Sequence, residues 1–231
     1  SIALEDGQVA LIRFTLDLTD RDVVLDEAAL DGKLKRLVRG WAPGIEAALS
    51  LLGEEGRANA LAHRYAGLFP QAYRLNHLPA EAAADILRVR LLDDDHAISV
   101  RITSANLAEP FRLKVYRAKG ALPLSGVVPV LENFGFVVLE ESPTALEGAI
   151  HGDTPGHIHD FLLEMKNVAA GGNGDDDRIT LIENAVADVL ADHAENDAFN
   201  QLIVSAGLPL PSVGWIRAWF RYLRQAGMPY G

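Results

Sequence analysis

An α+β fold, a β-α-β-β-α sandwich between two helical segments, is what this 231-residue sequence predicts. Three observations predict it. Apolar residues recur at three- and four-residue steps before residue 92 and again after residue 193. Between them, several stretches alternate apolar and polar side chains, the two-residue period of strands. And "PLSGVVPVLENFGFVVLEES" (Pro123 to Ser142) switches from helical to strand spacing at a single glycine.

The elements follow in order. "QVALIRFTLDL" (Gln8 to Leu18) alternates Val9, Leu11 and Phe14 with polar partners and reads as a strand. It stands alone, and one strand makes no sheet. Its partners are expected far along the chain or outside it, and residues 1–25 read as the end of a preceding domain. Residues 26–92 read as helical, with Leu34, Leu37, Val38, Trp41, Ile45, Leu49 and Leu52 on one stripe. A kink or break is expected within it at Pro43 and Gly44, and a stop at Gly53. A second helix is expected from about Glu54 to Phe69, ended or bent by Pro70. A third opens at "LPAEAAADILRV", where Pro79 suits a first turn followed by acids.

Residues 93–195 carry the sandwich. "AISVRITS" (Ala97 to Ser104) and "FRLKVYRA" (Phe111 to Ala118) alternate cleanly. Leu124, Val127, Val128 and Leu131 then give a helix entered at Pro123, and Gly135 takes the C-terminal cap position. Phe136 and Val138 begin a strand that Glu140 and Glu141 are expected to close as a solvated end. "HIHDFLLEMK" (His157 to Lys166) is a further strand, and Ile179, Ile182, Val186 and Val189 mark a helix. The order from Ala97 is strand, strand, helix, strand, strand, helix, and its core, Phe111 to His193, is β-α-β-β-α, close to the ferredoxin-like plan. Residues 196–231 are helical again, with Val213, Ile216, Phe220 and Leu223 on one face.

Composition narrows the function. A formal net charge of -11 argues against binding nucleic acid or an anionic membrane surface. With no cysteine there is no disulfide, thiolate nucleophile or cysteine zinc site. No apolar run approaches the ~18 residues of a membrane span, and "SIALEDGQVA" is not a signal peptide. The cytoplasm is the default expectation. The missing initial Met suggests processing or a piece of something longer.

Chemistry-bearing patterns are few. "GGNGDDD" is the nearest approach to a dinucleotide turn, but acids follow it and no helix is expected directly after it, so it reads as a linker. His157 and His159 in "HIHD" share a strand face, a pattern that metal hydrolases use; Asp160 points the other way, and a polar exposed face is the preferred reading. No metal ligand is assigned. Ser125 and Ser142 lack the context of a nucleophile. Arg217, Arg221 and Arg224 share a helical face that reads as solvated, with an anion or an acidic partner as the alternative. The aromatic sets Tyr65, Phe69, Tyr73 and Trp215, Trp219, Phe220, Tyr222 read as core or interface.

Several long phrases, in one order, resemble a known family. "RYAGLFPQAYRLNHLPAEAAADI", "RLKVYRAKGALPLSGVVPVLENFGFVVLEE", "IHDFLLE", "NDAFNQLIVSAGL" and "IRAWFRYLRQAGMPY" are similar to the central regulatory part of the large bacterial NAD-specific glutamate dehydrogenases. The resemblance implies an ACT-type sandwich between helical segments, in an enzyme that oxidises L-glutamate to 2-oxoglutarate and ammonia while reducing NAD. It implies no catalytic or cofactor-binding residue here, since none of the lysines (Lys33, Lys35, Lys114, Lys119, Lys166) lies in a glycine-rich substrate context. In ACT-type domains the connection from first strand to first helix often lines an amino-acid site. By that resemblance Lys119, Gly120, Ala121, Leu122 and Ser125 are the candidate ligand residues, at a helix start whose N–H groups suit a carboxylate.

The expectation is a non-catalytic regulatory and assembly part, with NAD bound elsewhere in the parent enzyme. Its partners would be other domains and subunits of that enzyme, and an amino-acid effector. A freestanding amino-acid sensor is the alternative; the lone strand and missing Met speak against it.

Overall fold

The computed structural model describes residues 2–5, 9–12, 40–93, 97–104, 106–107, 109–118, 120–148, 156–166 and 176–228. By its contacts the chain divides into Ser1–Gly40 and Trp41–Gly231. In the first unit β1 (Ile2–Glu5) pairs antiparallel with β2 (Val9–Ile12), Ile2 opposite Ile12. The strand expected to stand alone therefore has its partner just upstream: a short hairpin satisfies the backbone groups that the sequence reading sent to a distant strand. The rest of that expected strand, and the helical start from Asp26, lie outside the described residues.

The second unit opens with helices. α1 (Trp41–Leu49) begins where the sequence suggested a kink, because Pro43 falls in its first turn, where its missing N–H costs nothing. Gly53, at φ 87°, breaks the chain within a π-type turn (Ser50–Glu54). α2 (Ala58–Tyr65), α3 (Gln71–Asn76) and α4 (Pro79–Val89) follow. Ile45, Leu49, Ala62, Phe69, Ala82, Ile86 and Val89 bury the faces they share.

β3 (Ile98–Ile102), β4 (Phe111–Arg117), β5 (Phe136–Leu146) and β6 (Gly156–Met165) form one antiparallel sheet in the order β3-β4-β6-β5. α5 (Leu124–Asn133) joins β4 to β5, and α6 (Asp176–Leu190) follows β6. From β4 to α6 this is the β-α-β-β-α order of the ferredoxin-like plan. β3 takes the sheet edge beside β4. After α6 the chain makes α7 (Gln201–Ala206) and α8 (Leu210–Gln225), in the stretch expected to be helical.

Two details differ from the sequence reading. β5 does not stop at its acids but runs on to Leu146, with a bulge between Val138 and Glu140. α6 begins at Asp176, directly after the glycine-rich run, with Asp176 and Asp177 in its first turn. Those acids suit the helix dipole and would repel a pyrophosphate; the glycines themselves lie outside the described residues.

Both faces of the sheet are covered. Leu113, Val115, Phe136, Phe161 and Leu163 pack under α5 and α6, and Ile203, Val204 and Val213 extend that core into the C-terminal helices. Tyr116, Leu146 and Ile158, from the opposite face, pack on α1 and α4. Each fully buried large apolar side chain contributes about 1.5–3 kcal/mol.

Gly135 is the joint between α5 and β5. It sits at φ 91°, its N–H donates to the Glu132 carbonyl at 3.0 Å, and its carbonyl accepts the Lys166 N–H at 2.9 Å. An added Cβ would stand 3.2 Å from Gln201. Gly135→Ala should therefore lower stability by about 1–2 kcal/mol. Gly126→Ala, inside α5 with nothing within 4 Å of the new Cβ, should raise it by up to about 1 kcal/mol. Urea unfolding of the two variants beside the wild type checks both signs.

Candidate functional site

The connection from β4 to α5 is the place the sequence singled out. Lys119 lies outside the described residues. Gly120 is exposed at φ 74° and Ala121 is exposed. The Ala121 carbonyl accepts from Arg117 Nη1 at 3.3 Å. Ser125 is exposed on the first turn of α5, and Leu122 is half-buried. The Leu122 N–H, the donor best placed for a carboxylate, already donates to His159 Nε2 at 3.1 Å. His159 Nδ1 lies 2.9 Å from Glu141 Oε1. The loop's backbone is thus tied from two sides, by Arg117 and by His159.

This also resolves "HIHD". His159 is 3% exposed and engaged by Leu122 and Glu141, while Asp160 points into the opposite face. The exposed polar face expected there is buried. Glu141, expected to be a solvated strand-end acid, is the partner of His159. His157 is held below its ordinary pKa by burial first and by His159 second. Among the described residues no three His, Asp or Glu side chains converge on a metal site.

The sequence reading missed a buried charge cluster between the sheet and the N-terminal helices. Asp85 of α4 is 0% exposed. It accepts from Tyr73 OH at 2.5 Å, Lys114 Nζ at 2.7 Å, Tyr116 OH at 2.8 Å and Arg101 Nη1 at 3.4 Å. Lys114 of β4 also donates to Tyr73 OH at 3.4 Å and lies over that ring. Burial, reinforced by the Asp85 charge, pushes both tyrosine hydroxyls well above their ordinary pKa, so they stay donors. A carboxylate in an apolar interior is tolerated only with such a set of donors. Sealed from solvent, the cluster holds structure together and offers no place for a substrate. A signal was present: Asp85 interrupts the apolar stripe Ala82, Ala83, Ile86, Val89 of its helix, and Lys114 interrupts an apolar strand.

Asp160 borders the same interface. Neither of its oxygens has a well-formed hydrogen bond among the described residues, although Arg112 Nη1 lies 3.2 Å away and Lys114 Nζ and His77 Nε2 each lie 4.0 Å away. Burial pushes its carboxyl upward from its ordinary value, against the pull of Lys114 and Arg112. Glu183 of α6 makes a further bridge, accepting the Ile102 N–H at 2.7 Å and Arg88 at 3.0 Å.

Of the three C-terminal arginines, Arg217 and Arg221 are already committed to acids, while Arg224 is exposed. Arg217 is 5% exposed and grips Asp197 at 2.6 and 3.0 Å and Asn200 at 2.9 Å. Arg221 pairs with Glu195. They pin α8 to the turn before α7.

Two outcomes follow. Asp85→Ala leaves Lys114 buried without its anion and should cost about 3–5 kcal/mol, measured by denaturant unfolding. Asp160 stabilises the fold when protonated, because its folded pKa is raised. That contribution is complete at acid pH and fades as pH rises through the raised value. Asp160→Asn should therefore gain stability over the wild type between pH 4 and pH 7, as read by thermal melts at both.

Comparison with known proteins agrees with this architecture. Residues 95–177 match the glutamate dehydrogenase ACT3 domain. Residues 48–92 match glutamate dehydrogenase helical motif 2, and residues 194–231 match helical motif 3. The NAD-specific glutamate dehydrogenase of Halomonas elongata is 33% identical over 226 residues, covering 96% of this chain and 14% of that protein. That of Pseudomonas aeruginosa is 30% identical over 226 residues, covering 95% and 14%. That of Mycobacterium tuberculosis is 31% identical over 206 residues, covering 87% and 12%. The chain spans about 14% of the length of the first two relatives. It belongs to the NAD-specific glutamate dehydrogenase family, within which it corresponds to the ACT3 domain and the helical motifs on its two sides.

Proposed function

We propose that this chain is the regulatory and assembly part of an NAD-dependent glutamate dehydrogenase acting in the cytoplasm. The parent enzyme would convert L-glutamate, NAD and water to 2-oxoglutarate, ammonia and NADH, with NAD held elsewhere in its chain. This part carries no catalytic step. Lys114, on β4, is closed off in the Asp85 cluster.

The observation that carries the reading is the outer face of α8. Trp215, Trp219 and Tyr222 are 71%, 60% and 62% exposed on a helix whose other face is anchored by Val213 and Arg217. At spacings of four and three they form one stripe. Phe220 extends it by an edge contact of 5.3 Å to Phe199, which lines an open apolar depression of about 320 Å³ with Leu202 and Ala198. A contiguous aromatic patch on a pinned helix marks a docking surface. In this reading its occupant is another domain or subunit of the same enzyme, and regulation acts through that contact. An amino-acid effector at Lys119, Gly120, Ala121, Leu122 and Ser125 is the finer possibility within it; it would have to displace His159 from the Leu122 N–H.

Trp215→Gln with Trp219→Gln in the full-length enzyme tests this. Each tryptophan at a true interface is worth about 2 kcal/mol or more. The variant enzyme should lose assembly in sedimentation or change its glutamate saturation curve. The same pair of changes in this chain alone should leave its melting temperature nearly unchanged. Unaltered assembly and kinetics would refute the reading.

A further inference from the structure

We infer that the β5 edge of the sheet is closed to strand addition by its own residues, so that a second copy of this chain does not lengthen the sheet there. The sheet ends in two strands, β3 and β5. A terminal strand turns every second residue's N–H and C=O outward, where another chain can pair with them. The two edges meet this hazard by different means.

At β3 the outward groups meet a neighbouring helix. The Ala118 N–H donates to the Ala97 carbonyl and the Thr103 N–H to the Arg112 carbonyl, both in the β3–β4 register. Ser99 and Arg101 therefore bond inward with them, and Ile98, Val100 and Ile102 turn their backbone outward. Glu183 of α6 accepts the Ile102 N–H at 2.7 Å, and Val100 and Ile102 are buried.

At β5 no strand lies on the outer side among the described residues. The strand opens on an apolar run, Phe136 to Leu139, of which Val137 and Leu139 are 37% and 49% exposed. Such an edge invites pairing. The Lys166 N–H donates to the Gly135 carbonyl, which sets the phase of the β5–β6 ladder. In that phase Val137, and beyond the bulge Glu140, Ser142 and Thr144, bond to β6. Phe136, Val138, Glu141, Pro143 and Ala145 turn their backbone outward. Pro143 thus stands where an incoming strand would need an N–H, and proline has none. Opposite His159 in a pair that exchanges no ladder bond, it costs the sheet nothing.

The bulge closes the other half. Leu139 is the extra residue between Val138 and Glu140, and a bulge bends and twists its strand away from a straight partner. Beyond Val138 each run of outward positions is therefore interrupted: Val138 and Glu141 by the bulge, Glu141 and Ala145 by Pro143. Glu140, exposed beside the bulge, adds a charge to the same stretch. Neighbours of this domain then meet it through side chains and helices, not through a shared ladder. The inference does not depend on how the face of α8 is read.

Amide hydrogen exchange of Val138, Glu141 and Ala145 in this chain, in dilute and in concentrated solution, tests it. In the wild type these amides should exchange at the same rates in both. Pro143→Thr restores the run from Glu141 to Ala145, and deleting Leu139 as well restores the whole edge. On concentrating the single variant, protection of Glu141 and Ala145 should rise by about tenfold or more, and in the double variant that of Val138 should rise with them. Leu113 reports that the fold is intact, and the single variant decides if the double one does not fold. Concentration-dependent protection of these amides in the wild type overturns the proposal. So does a folded Pro143→Thr chain in which Glu141 and Ala145 gain none.

Discussion

The ion pair of Asp85 and Lys114 is the constraint on which the rest of the second unit depends. One partner comes from α4 and the other from β4, and both are shut off from water. Neither charge is tolerable there alone, so the helices and the sheet each supply what the other needs. Two tyrosines and Arg101 complete the carboxylate's partners. Apolar packing alone would let α1 and α4 slide on the sheet with little penalty. A buried pair of this kind specifies one register, because any slip strands a charge in an apolar interior.

This arrangement turns an ACT-type sheet into the middle layer of a three-layer unit. The helices that match motif 2 cover one face, and the domain's own helices cover the other. Glu183 ties the layers again at the β3 edge, reaching both Ile102 and Arg88. The C-terminal helices are fastened by Arg217 to Asp197 and Asn200. Among the described residues, the loop between β4 and α5 and the aromatic face of α8 are accessible.

Much of the fold was legible. β3 and β4 showed in the two-residue alternation, and Gly135 announced the helix-to-strand joint because only a residue at ease with positive φ caps that way. The β4–α5 loop was legible as a connection, but nothing local to "AKGALPLSG" says that the Leu122 N–H is taken by a histidine 37 positions away. Glu141 looked like a solvated end for the same reason, its partner being on the neighbouring strand. The hairpin partner of Val9–Ile12 was missed because Ile2–Glu5 is too short for a period to register.

The sequence by itself determined the order of the sheet and helix elements from β3 onward and the family, because periodicity, caps and collinear phrases are local properties of the chain. Tertiary structure alone decided that Lys114 is a buried anchor, that Arg217 is a clamp, that β3 fills the last sheet position, and that His159 holds Leu122. Each of these rests on a partner distant in sequence. A charged side chain reads the same in one dimension whether water or an opposite charge will surround it, and only the folded geometry says which.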